Sequence, residues 1–264
     1  MMHNHVVDIG LDLLSYAFPV ALIILYIAAV SVTNNKYKKW PRIRIIFWVL
    51  GIFSVFLGIV GPIADRAHDS FSAHMLTHLL LGMLGPLLLV LATPMKLLLR
   101  SVPVGFGRLI SKLLKSSYVQ WITHPVLASV LNVGGLWILY ATDLYSAMHS
   151  SMWLFVLVHV HIFLAGYVFT LSMIYVEVAP HRTSFRLRAV VLILAMAAHG
   201  ILSKWIYANP PAGISMSDAQ SAGLLMYYGG DVIDLVIVVI LCAQYFGGRK
   251  IRRKEKELIL FHKS

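Results

Sequence analysis

A chain of 264 residues would make about one or two soluble domains, but 59% of its residues are hydrophobic and only 12% charged, about half the charged share of a soluble domain. The formal charge of +11 would suit a nucleic-acid partner, yet the basic residues sit in the connections between apolar runs, where membrane topology selects them. A single cysteine, Cys242, excludes an internal disulfide and a dithiolate metal site.

The apolar runs are continuous and lack the alternation of barrel strands. Each is long enough to cross a bilayer as a helix, which takes about 20 residues. The expected fold class is therefore all-α: a polytopic membrane protein with seven transmembrane helices. The spans are predicted near residues 12–32, 43–61, 74–95, 121–140, 152–175, 189–207 and 222–246. They make one transmembrane domain over 1–246, followed by a basic tail over 247–264. Residues 1–11 contain no Lys or Arg, so the first run reads as a retained span rather than a signal peptide.

The connections alternate sharply in charge. Five Lys and Arg lie in 33–44, one in the next connection (Arg66), five in 96–120, none in the next, three in 181–188, then only Lys204, and seven from Arg249 onward. Twenty fall on one side and two on the other. The positive-inside rule then puts the N-terminus outside and the C-terminus in the cytoplasm.

Along the chain, Gly51, Gly58 and Gly61 in the second span allow close helix approach. Pro86 and Pro94 are expected to kink or end the third span. The stretch Gly107–Tyr118 is weakly amphipathic and suits the inner leaflet. Gly229 and Gly230 are expected to loosen the seventh span. The tail is a juxtamembrane basic patch attracted to anionic lipid.

The twelve histidines carry the chemistry. His124, His181 and His262 fall in or near the cytoplasmic half; the others fall outside or within spans reached from the outside. Ionisable groups inside a membrane are expensive and mark function. His74 and His78 are four residues apart on a helix and share a face. His159 and His161 point to nearly opposite faces, so only one can look into the bundle, and the sequence leaves open which. His199 lies near the middle of the sixth span. His161 and His124, taken singly, read as histidines bonded to a neighbouring helix. The set His74, His78, His159 and His199 reads as one shared metal site, with His68 and His149 peripheral. Asp231 and Asp234, three apart in the seventh span, are placed to accept hydrogen bonds from the second nitrogens of ligating imidazoles, or, for Asp231, to ligate. Imidazole without thiolate suits copper better than calcium or magnesium; zinc also fits, and haem needs only one or two imidazoles. Methionines such as Met75, Met148, Met152, Met216 and Met226 read as lipid-phase filler. No phosphate loop, Ser-His-Asp pattern or HExxH helix is present, so nothing supports hydrolysis and no enzyme is expected.

The segment "FSAHMLTHLLLGMLGPLLLVLATP" resembles the third-helix signature of the integral-membrane CtaG family of bacterial cytochrome c oxidase assembly factors. "THPVLASVLNVGGLWILYATDLY", "LVHVHIFLAGYVF", "APHRTSFRLRAVVLILAMAAHG" and "AGLLMYYGGDVIDL" extend the resemblance over about residues 60–246. It implies a seven-helix protein of the bacterial plasma membrane that helps form the active oxidase at a copper centre. It also maps the family's histidines onto His74, His78, His159 and His199, and the acidic position of the last helix onto Asp231 with Asp234. The "LYATDLY" stretch departs from the pattern, since many relatives carry a histidine there. The expected function is copper binding at an outward-facing histidine site and delivery to an oxidase subunit. A haem-binding electron carrier, a copper transporter and a ligand-free scaffold are the alternatives. Beyond the oxidase subunit, the expected partners are membrane lipid and a possible second copy of the chain.

Overall fold

The computed structural model describes the backbone of residues 2–67 and 69–261 and the side chains of 16–67 and 69–247. His68 and the side chains of the tail lie outside the described residues. Every regular element among them is helical. Helix α1 (Met2–Lys36) is followed by α2 (Arg42–Leu57) and a short α3 (Pro62–Arg66). The third crossing is built from α4 (Phe71–Leu79), a π-helical turn over Leu80–Leu84, and α5 (Gly85–Ala92). Then come α6 (Pro94–Ser101), α7 (Val104–Leu114) and α8 (Ser117–Ile122). The fourth crossing repeats the device: α9 (Pro125–Ser129), a π turn over Val130–Gly134, and α10 (Gly135–Ala141). After it α11 (Leu144–Ser150) turns away by 79°. The last three are α12 (Met152–Met173), α13 (Phe185–Ala208) and α14 (Met216–Phe261). Among the described residues, six helices are long and apolar enough to cross a membrane, or seven when the bent pair of the fourth crossing counts as one.

The third crossing is the axis of the bundle: 67% of its most apolar window is buried, against 17% for α1. The prolines act there differently from a simple kink. Pro86 lacks an N–H and its ring crowds the carbonyl four residues back. The chain widens into a π turn just before it, and Pro86 then sits in the first turn of α5, where the missing donor is harmless. Thr93 takes a left-handed conformation (φ 55°) that ends α5, and Pro94 opens α6. The widened turn also exposes backbone that a neighbour uses. Gly166 of α12 sits so close that a Cβ there would fall on the Gly82 carbonyl oxygen.

Two carboxylates fix the ends. Asp218, in the first turn of α14, accepts hydrogen bonds from the backbone N–H of Phe71 (2.7 Å) and Ser72 (3.1 Å). It thereby caps α4 from outside and sets the register of His74 and His78 against the last helix. At the opposite, basic end Glu177, in the connection after α12, accepts from Met95 N (2.7 Å), Lys96 N (3.2 Å) and Val178 N (3.0 Å). Lys96 Nζ donates to the Val176 carbonyl. Nothing in the sequence pattern singles Glu177 out, because a cap made across 81 residues leaves no local spacing.

Burial pushes the Glu177 carboxyl above its ordinary value, although the backbone N–H groups pull it down. A group raised on folding contributes stability that is fully present below its unfolded value and is lost as the pH rises through its folded value. Glu177→Gln removes this titration. The melting midpoint of the wild type, relative to the variant, is therefore expected to fall as the pH is raised from 4.5 toward neutral. A gap that stays constant across that range would contradict the reading.

Candidate metal centre

His74, His78, His149, His159 and His199 gather in the half of the bundle away from the basic connections, around a core of Phe71, Met75, Leu139, Tyr140, Leu202 and Met226. His74 and His78 are both nearly inaccessible, and α4 carries them one turn apart on its buried face. Their partners differ. The His74 ring lies 6.1 Å from that of His159 and 6.4 Å from that of His149, centroid to centroid. The His78 ring lies 6.4 Å from that of His199 on α13. Tyr140 stands between the two groups, with its hydroxyl 3.2 Å from His74 Nε2 and its ring 6.4 Å from His78.

The four histidines expected at one site thus form two pairs. Among the described residues no three of His, Cys, Asp and Glu come close enough together to hold a metal ion. The outer pair is engaged with protein groups. His74 bonds Tyr140, and Nδ1 of His159 lies 2.8 Å from the Phe155 carbonyl, donating when it carries the proton. His149 makes the same kind of bond to the Tyr145 carbonyl at 2.9 Å.

The inner pair is not so engaged. Both ring nitrogens of His78, which is 3% exposed, and Nε2 of His199, which is 5% exposed, are buried with no hydrogen-bond partner. An unpaired buried polar group costs about 1–3 kcal/mol, and three such atoms on facing rings need a physical reason.

His161, the other member of the open choice in the fifth span, is exposed; its Nε2 lies 3.1 Å from the Leu131 carbonyl in the π turn of the fourth crossing. The ring fits because residue 135 is glycine: a Cβ there would meet its Nε2 at 2.5 Å. His161 therefore braces two helices, and His159 is the one that faces His74.

The carboxylates are not where the second-nitrogen role needs them. Neither Asp231 nor Asp234 hydrogen-bonds an imidazole among the described residues. Asp231 is partly exposed. Asp234 is 4% exposed and lines a cavity of about 20 Å³ beside His199. Asn132, from the second π turn, and Thr170 also face this cavity. Nor do Gly229 and Gly230 loosen α14, which runs unbroken past them. They let neighbours in: a Cβ at Gly229 would meet Leu79 at 2.6 Å, and one at Gly230 would meet Cε1 of His199 at 2.4 Å. Gly230→Ala must push the His199 ring out of its place. The variant is expected to fold, with a loss of about 1–3 kcal/mol, and to lose any ligand that His199 holds. A thermal melt and a metal titration on one sample check both.

Residues 24–247 match the family model described as cytochrome c oxidase caa3 assembly factor. The chain is also 31% identical over 195 residues to an uncharacterized protein of Mycobacterium bovis and, equally, to one of Mycobacterium tuberculosis; each match covers 71% of this chain and 30% of the relative. An uncharacterized protein of Mycobacterium leprae is 26% identical over 255 residues, 89% of this chain and 39% of the relative. The chain thus spans about a third of the length of these curated relatives. No solved structure matches it.

Proposed function

This chain belongs to the cytochrome c oxidase caa3 assembly factors, and from that premise we propose that it binds copper between His78 and His199 and passes the ion to an oxidase subunit. It is a multi-pass bacterial membrane protein. The observation that carries the copper reading is the inner pair: two facing imidazoles with three buried nitrogens left unpaired. Neutral imidazole is a good copper ligand, and the absence of thiolate keeps the ion exchangeable. A site for a carried ion has to release it.

Under the positive-inside rule the histidine half faces the outside. His149, His74 and His159 would then line the way in, and Tyr140 would separate them from the inner pair. The cavity beside His199 has room for a water or one ion, not for a macrocycle, which favours an ion over haem at that ring. In cells lacking this chain, the caa3 oxidase is expected to assemble with its haem but short of copper. An oxidase with its full copper complement would reject the proposal.

A further inference from the structure

Two imidazoles give a copper ion two ligands, and no third His, Cys, Asp or Glu adds to them among the described residues. Thioethers are the remaining soft donors. The cavity beside His199 is lined by two of them: Met83, in the π turn of the third crossing, and Met196, one turn before His199 on α13. Neither has a sequence context that separates it from lipid-phase filler, and α13 and the π turn bring them to the same hole.

We propose that Met83 and Met196 are copper(I) ligands, acting with His199 at this cavity, which His78 does not line, so that His199 is the ligand shared with the inner pair; the inference rests on the copper reading above and names the oxidation state that the site takes. The cavity has the chemistry for it. Its volume of about 20 Å³ fits a single small ion, since one water needs about 10–15 Å³. His199 lines the cavity, and its Nε2 is buried with no hydrogen-bond partner. Thioether together with imidazole selects copper(I) over the harder divalent ions. Asp234 brings a carboxyl to the same cavity, an oxygen group close to the place an ion would take. Asn132 and Thr170 contribute neutral dipoles around it. The π turn gains a purpose as well, since it turns Met83 toward the cavity in a helix where Pro86 already demands a widened backbone.

The test is copper K-edge absorption on the purified full chain loaded with copper(I), with Met83→Leu, Met196→Leu and the double variant alongside. Leucine conserves volume, so these variants are expected to fold. The expected spectrum has a sulfur shell in addition to imidazole nitrogen. In the double variant the sulfur shell disappears, the imidazole scattering stays, and copper(I) affinity in competition with a chelator falls by about tenfold or more, a scale reached even by removing a metal's supporting groups. A wild-type spectrum with nitrogen and oxygen scatterers alone would overturn this inference and leave the histidine pair standing, with the cavity then a water site. Wild-type protein that takes up no copper(I) would overturn both.

Discussion

His78→Leu is expected to abolish copper binding and, in the metal-free protein, to raise the melting temperature. The two effects have one cause. Both His78 nitrogens are buried without a hydrogen-bond partner, a cost of about 1–3 kcal/mol for each unpaired group. Leucine has a similar bulk and no polar atoms, so it relieves that cost while removing the ligand. A histidine kept for packing alone would show the opposite sign, because its replacement would break contacts and gain nothing. His74→Leu supplies the contrast. Its Nε2 is bonded to the Tyr140 hydroxyl, so its loss orphans that hydroxyl and is expected to destabilise the fold. His161→Leu is the control for copper: its ring bonds the Leu131 carbonyl on the exposed side of α12, and copper uptake is expected to be unchanged. Differential scanning fluorimetry of metal-free protein and elemental analysis of loaded protein give both readouts. A metal-free His78→Leu protein that melts lower than wild type would remove the argument that the ring waits for an ion.

Gly166→Ala is expected to cost about 3 kcal/mol or more, the upper end for overpacking. The added methyl would coincide with the Gly82 carbonyl oxygen, with Pro86 also within reach. Backbone cannot swing aside as a side chain can, so α12 must separate from the third crossing, the axis that carries His78. Gly105→Ala is the matched control, since a Cβ there meets nothing within 4 Å. It lies in α7, where alanine is the better helix former by about 0.5–1 kcal/mol. Unfolding of both variants in the same detergent measures the difference. Equal stabilities would mean that the close approach of Gly166 to Gly82 is not what holds these helices together.

Much of the architecture is legible in the sequence because it depends on local composition. The apolar runs mark the crossings. The pairing of His74 with His78 on one buried face follows from the 3.6-residue period. The details that decide chemistry are not local. Two π turns shift the register by one residue within helices that look uninterrupted, and no periodicity announces them. They place Asn132 and Met83 at the cavity and open the Leu131 carbonyl to His161. Tyr140 divides the histidines into two pairs, yet in the sequence it is one aromatic residue near a span end. Asp231 and Asp234 share a helix face, but among the described residues neither hydrogen-bonds an imidazole, and only Asp234 lines the cavity beside His199. Gly230, which looks like a weak point of the last helix, is the space into which His199 fits.

The central claim is met most directly by counting copper in the wild-type chain, purified from copper-supplied cells without added chelator. About one copper per chain, lost in a His78→Leu, His199→Leu double variant that remains folded, is the result expected. Wild-type protein that is free of copper while still restoring copper-replete oxidase to cells would contradict it.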